Sequence, residues 1–83
     1  MSDDQPYTPI SCEAYSRLEL HIMHRDTLRM QWRENDTVIH VEPLWPSDLK
    51  TVKNSGEFLI ARDTKGRRLR IRLDRIIGFE RLA

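Results

Sequence analysis

The spacing of apolar positions changes once along this chain. Ile10, Ala14, Leu18 and Ile22 recur every four residues, with Tyr15 and Met23 beside them, and that spacing marks one face of a helix. The pattern predicts a helix over about residues 11–22. Thr8 or Ser11 can cap its start, and Pro9 suits the first turn if Thr8 is the cap. Glu13 falls near the positive end of the helix dipole, and the His and Arg of HIMHRD fall near the negative end, so both ends are favourably charged. Residues 1–8 read as a mobile tail.

From Thr27 the period becomes two. Leu28, Met30 and Trp32 alternate with Arg29, Gln31 and Arg33, the pattern of a strand with one buried face. Glu34-Asn35-Asp36 reads as a turn, and Val38-Ile39-His40-Val41 begins a second strand. Pro43 and Pro46 restrict ladder pairing, so PLWPSDLKTVKNSG reads as a long connection with one helical turn at Ser47-Asp48-Leu49. Glu57 to Ala61 is a short apolar strand. Asp63-Thr64-Lys65-Gly66 is a hairpin turn in which Gly66 supplies positive φ. Arg68 to Leu73 alternates arginines with aliphatics, Asp74-Arg75 bends the chain, and Ile76 to Phe79 is a last strand. One helix followed by five short strands predicts a mainly β domain that manages its edges by curling into a small barrel. Sm-like and SH3-like barrels fit that count, and an OB-fold fits it less well.

The 83 residues suit one domain, read as residues 9–83 behind the tail. Cys12 stands alone, so no intrachain disulfide forms. The opening MSDDQPYTP is acidic and polar, unlike the apolar core of a secretory leader. No apolar run nears a membrane-spanning length, and a cytoplasmic location is expected. The net charge of +1 conceals an asymmetry: residues 1–49 carry −5 and residues 50–83 carry +6. This either makes two electrostatic faces or is averaged out where the halves interleave.

Chemistry-bearing residues are few. Cys12, His21 and His24 are of metal-ligating type, but Cys12 lies ~13–18 Å along the helix from the histidines, so no metal site is expected. Cys12 reads as a small residue packed under the first turn. His24-Arg25-Asp26 spells the kinase catalytic tripeptide in a chain with no phosphate loop. With no nucleophile elbow, dinucleotide fingerprint or paired-His motif either, no enzyme activity and no cofactor are expected. Arg68, Arg70 and Arg72, flanked by Arg67 and Arg75, either track a phosphate backbone or form a solvated strand face that resists edge aggregation. No aromatic alternates with them to make a stacking platform. Trp45, between two prolines, is either an exposed interface anchor or a plug for one barrel end.

Several stretches together resemble Rof, the Rho-binding antiterminator family. They are Tyr7-x-Pro9-Ile10-x-Cys12-x-x-Tyr15-x-x-Leu18-Glu19-Leu20, then Asp48-Leu49, Lys53-Asn54 and Glu57-Phe58-Leu59, and finally Leu69-x-x-x-Leu73-Asp74-Arg75-Ile76 with Phe79. The resemblance spans about residues 7–80. It implies an Sm-like fold, a helix followed by a small five-stranded barrel. It implies a protein that binds the N-terminal primary RNA-binding region of transcription termination factor Rho and keeps RNA from loading. Carried onto this chain, the family's contact region is Glu13, Tyr15, Ser16 and Glu19 on the helix, with Lys53 and Asn54 in the loop before the third strand. Ser16 stands where members tend to carry an acid, and the +1 charge departs from their overall acidity.

The stretch EFLIARDTKGRRLRIRLDRIIGFE is also similar to the core of WYL domains, Sm-like regulatory modules whose strand arginines help bind ligand or nucleic acid. The family's Trp-Tyr-Leu triplet reads Glu57-Phe58-Leu59 here, and the usual DNA-binding domain is not in this sequence. This resemblance implies the alternative: direct binding of RNA or a nucleotide ligand through Arg68, Arg70 and Arg72.

Overall fold

The structure, a computed structural model, describes residues 6–82. Helix α1 (Cys12–Met23) is followed by strands β1 (Leu28–Arg33), β2 (Ile39–Val52), β3 (Gly56–Arg62) and β4 (Arg68–Arg72), a 3-10 turn (Leu73–Arg75) and β5 (Ile76–Arg81). The domain is mainly β, with one N-terminal helix. All ladders are antiparallel, in the order β4-β3-β2-β1-β5. β4 and β5 are the edges, and among the described residues no ladder joins them, so the sheet is open.

Local chemistry sets the boundaries. Ser11 caps α1, its Oγ accepting from the Ala14 N–H at 3.1 Å; of the two candidate caps it is the one used, and Pro9 therefore lies outside the helix. At the other end the chain turns through Arg25, which holds φ 57°, the left-handed position that usually ends a helix on glycine. The His-Arg-Asp tripeptide is thus a helix terminus. His24 caps α1, Arg25 reverses the chain, and the Asp26 carboxylate accepts from His21 Nδ1 at 2.8 Å.

β1 buries Leu28, Met30 and Trp32 and exposes the residues between them, as its period of two predicts. Asn35 holds the next turn, its Oδ1 accepting from the N–H groups of Thr37 at 2.9 Å and Val38 at 3.0 Å. The stretch from Pro43 to Val52 corrects the sequence reading. It is not a long connection with a helical turn at Ser47–Leu49, but the continuation of β2, which runs 14 residues. Leu28 pairs with Leu44, whereas Trp45 pairs with Arg62. β2 changes partner there, from β1 to β3, and the register shifts between Pro46 and Asp48. Each half of the strand keeps one edge outside the ladder, where a proline nitrogen forfeits no hydrogen bond.

Leu18 of α1 meets Leu28 and Met30 of β1, Leu44 of β2, Leu59 and Ala61 of β3, Ile71 of β4 and Leu73 in one core. The sheet therefore curls enough for β1 and β4 to share an interior. Tyr7, Ile10, Tyr15 and Ile22 pack against that core while remaining partly exposed. Leu18 is fully buried, and Leu18→Ala costs about 2–5 kcal/mol at a site of this kind. Residues 1–5 of the expected tail lie outside the described residues. Tyr7 and Thr8 are tied to the fold: the Tyr7 hydroxyl donates to Glu57 Oε1 at 3.1 Å and the Thr8 N–H to Asp74 Oδ2 at 2.9 Å. No helix among the described residues is long and apolar enough to cross a membrane.

Candidate functional site

A helix that buries one stripe leaves the rest of its circumference for other uses. Here Leu18 points inward, and on one flank Tyr15, Ser16, Glu19, Leu20, Ile22 and Met23 form a wall. That wall faces Asp48 and Leu49 of β2 across a groove of about 500 Å³. Three of the expected site residues, Tyr15, Ser16 and Glu19, therefore share one surface. Glu13 is exposed but does not line the groove, because 3.6 residues per turn places it roughly 120° round the helix from Glu19.

The groove is both acidic and apolar. Burial raises the Tyr15 phenol above its ordinary value, and the charges of Glu57, Glu19 and Asp48 raise it further. Three carboxylates thus act on one half-buried ring, and two of them, Glu19 and Asp48, line the groove with it. Among them stand Leu20, 50 % exposed, and Met23, 73 % exposed. Exposed apolar side chains ringed by charge are the usual makeup of a protein-binding surface.

Lys53 and Asn54 are exposed at the tight turn joining β2 to β3. The Ser55 N–H donates to the Val52 carbonyl at 3.0 Å, and Asn54 takes φ 66°. Two residues further on, Glu57 links this hairpin to the N-terminal segment. It accepts the Tyr7 hydroxyl, and its charge acts on Tyr15 as well. Burial, then the hydrogen bond and charge of Glu57, push the Tyr7 phenol up to about 12. Gly56 makes this close approach possible. It sits at φ 105°, and a Cβ there would lie 2.5 Å from the Tyr7 ring.

Asp48, Leu49, Leu20, Met23 and Glu57 were not singled out as site residues by sequence reasoning. Leu20 did carry a signal, since it falls off the Ile10–Ala14–Leu18–Ile22 stripe, whereas Met23 stands beside that stripe and yet is exposed. Asp48 and Leu49 belong to the stretches that resemble the Rof family, but a sequence pattern that makes residues 43–56 a connection does not bring them beside the helix.

The arginines of the alternative reading do not act as one free row. Arg68 is exposed. Arg70 lies with its guanidinium carbon 4.7 Å above the Phe58 ring. Arg72 is half-buried, with its Nε 2.7 Å from Asp74 Oδ1. An aromatic does accompany these arginines, but it comes from the neighbouring strand β3, so alternation along β4 could not reveal it. Cys12 is exposed rather than packed beneath the first turn. Trp45 is 43 % exposed and lines a hollow with Ile22, Arg25 and Arg62. Among the described residues no three His, Cys, Asp or Glu side chains converge where a metal ion could be held. Comparison with known protein families, with curated proteins and with solved structures finds no match.

Proposed function

We propose that this chain is a small protein inhibitor of the Rof type, which docks on the N-terminal primary RNA-binding region of transcription termination factor Rho and so permits antitermination. The observation that supports this reading is the groove between α1 and β2, where Glu19 and Asp48 flank Tyr15 beside exposed Leu20 and Met23. A surface that binds RNA phosphates is basic, and an acidic counterface steers such a partner into register. Met23 and Leu20 supply adaptable apolar contact, and Tyr15 adds a rigid ring at low entropic cost. A standard interface needs ~800 Å² per partner, an area that the helix wall together with the Lys53–Asn54 turn can provide. On this reading the open five-stranded sheet with its leading helix is an Sm-like barrel, and the protein works in the bacterial cytoplasm, where Rho acts.

The test is retention of purified Rho by the immobilised chain after nuclease treatment. Retention is expected for the native chain, with loss for Glu19→Lys and for Asp48→Lys while the far-ultraviolet dichroism stays unchanged. Equal retention of Rho by both charge-reversed variants would remove the groove from the interface.

A further inference from the structure

At the free edge of β4 lies a second concavity that shares no residue with the groove. It is lined by Arg33 and Glu34 at the end of β1, Arg70, Ile71 and Arg72 of β4, and Arg75, with Trp32 beside them, and is an open hollow of about 260 Å³. Four arginines, one at the end of β1 and three on β4 and the turn after it, therefore line one space.

Two of them are anchored. Arg75 Nη1 donates to the Glu34 carbonyl at 2.8 Å, pinning the 3-10 turn to the end of β1. Arg72 pairs with Asp74, whose other oxygen accepts the Thr8 N–H at 2.9 Å. The Asp74 charge is thereby already shared between two donors. Arg70 is oriented by its stack on Phe58, which leaves its planar N–H fork available. Among the described residues no carboxylate pairs with Arg33 or Arg70. The Glu34 carboxylate, the remaining acid of the cleft, accepts from His40 Nε2 at 2.6 Å. His40 in turn stacks on Trp32, ring centres 5.0 Å apart.

Positive charge therefore outweighs negative in a concave, partly apolar space. Such walls concentrate anions, and guanidinium forks match phosphate oxygens in pairs. This open hollow has room for about eight or nine waters, enough for a phosphate group with its attached sugar. We infer that this cleft is a phosphate-binding site for a nucleotide, with Arg33 and Arg70 gripping the phosphate and Arg72 and Arg75 holding the cleft's shape and field. The phosphate can belong to a free nucleotide or to one within an RNA strand. This site is independent of the groove proposed to meet Rho, and its test needs no Rho.

Trp32 reports on the cleft once the second tryptophan is removed by Trp45→Phe. In that background, tryptophan fluorescence is titrated at about 0.15 M ionic strength, where charges more than about 8 Å apart are largely screened, with inorganic phosphate, uridine monophosphate and a short oligouridine. A saturable change is expected, weakened about tenfold or more in Arg33→Glu/Arg70→Gln, the worth of at least one charge-assisted hydrogen bond. Arg68→Glu, on the same strand but outside the cleft, is expected to leave affinity within about twofold, since an exposed charge off the site acts only through a screened field. Saturation by uridine monophosphate identifies a free nucleotide as sufficient, whereas saturation by the oligouridine alone assigns the phosphate to RNA. Absence of saturation with all three probes overturns the proposal, and so does equal weakening by Arg68→Glu. Arg33→Lys guards against misfolding: it keeps the charge but loses the paired fork, and should weaken binding without lowering the melting temperature.

Discussion

The Tyr7 hydroxyl and the Glu57 carboxylate meet at 3.1 Å across 50 residues of chain. Through this bond the segment ahead of α1 is fastened to the start of β3, beside the Lys53–Asn54 turn. The same carboxylate also acts on Tyr15 in the groove, so one acidic side chain joins the fold's N-terminal strap to its candidate docking face.

Tyr7→Phe should lower stability by about 1 kcal/mol, the net worth of one hydrogen bond. It should also change the alkaline limb of the stability profile. Below pH 10 the phenol is protonated in both folded and unfolded chains. Between pH 10 and about 12 only the unfolded chain releases that proton. The folded state then binds more protons, and stability falls as pH rises through the window. Urea titrations at several alkaline pH values should show a shallower fall for Tyr7→Phe than for the native chain.

Gly56→Ala should be costly for two reasons. Its backbone sits at φ 105°, and its new methyl would strike the Tyr7 ring. The backbone component alone costs roughly 1–2 kcal/mol. Because the methyl displaces the ring, Gly56→Ala and Tyr7→Phe should be less than additive in a double-mutant cycle.

Asp63 is 3 % exposed. Its carboxylate accepts from the Lys65 N–H at 2.9 Å, the Arg67 N–H at 2.9 Å and Arg67 Nε at 2.7 Å. Burial alone would raise its pKa, but the bonds from Arg67 and Lys65 outweigh that and hold it below the ordinary 3.8. Above that ordinary value both states are ionised and the stabilisation is complete. As pH falls below it, the unfolded chain takes up a proton first, and stability is lost. Asp63→Ala should cost about 1–3 kcal/mol at neutral pH and flatten this acid limb in thermal melts.

Arg25 ends α1 in the left-handed region, at φ 57°. Glycine adopts that conformation without the Cβ clash. Arg25→Gly should therefore stabilise the domain by up to about 1 kcal/mol, read as a rise in melting temperature.

Local structure was legible wherever a single segment determines it. The alternation of Leu28, Met30 and Trp32, the Asn35 turn, positive φ at Gly66 and the inward stripe on α1 all follow from residues near one another. The course of β2 was not legible. Pro43 and Pro46 rule out a strand paired on both edges, and one sequence does not show that each half is paired on only one. The groove was half legible: the helix supplied Tyr15, Ser16 and Glu19, but Asp48 and Leu49 join them only once β2 is recognised as a strand. The arginine cleft was hidden further still, since Arg33 and Arg70 meet only after the sheet curls.

β2 is also the strand that the two ladders share. Its first half belongs to the ladder with β1 and β5, and its second half to the ladder with β3 and β4. Neither ladder can open without pulling on the same covalent segment at Leu44–Trp45. A chain cut at that bond would leave two complementary fragments, held together by the shared core and by the ladder between β1 and β5. In the intact molecule Asp48 and Leu49 of the groove and the arginine-bearing β4 are flanking members of one ladder, with β3 between them.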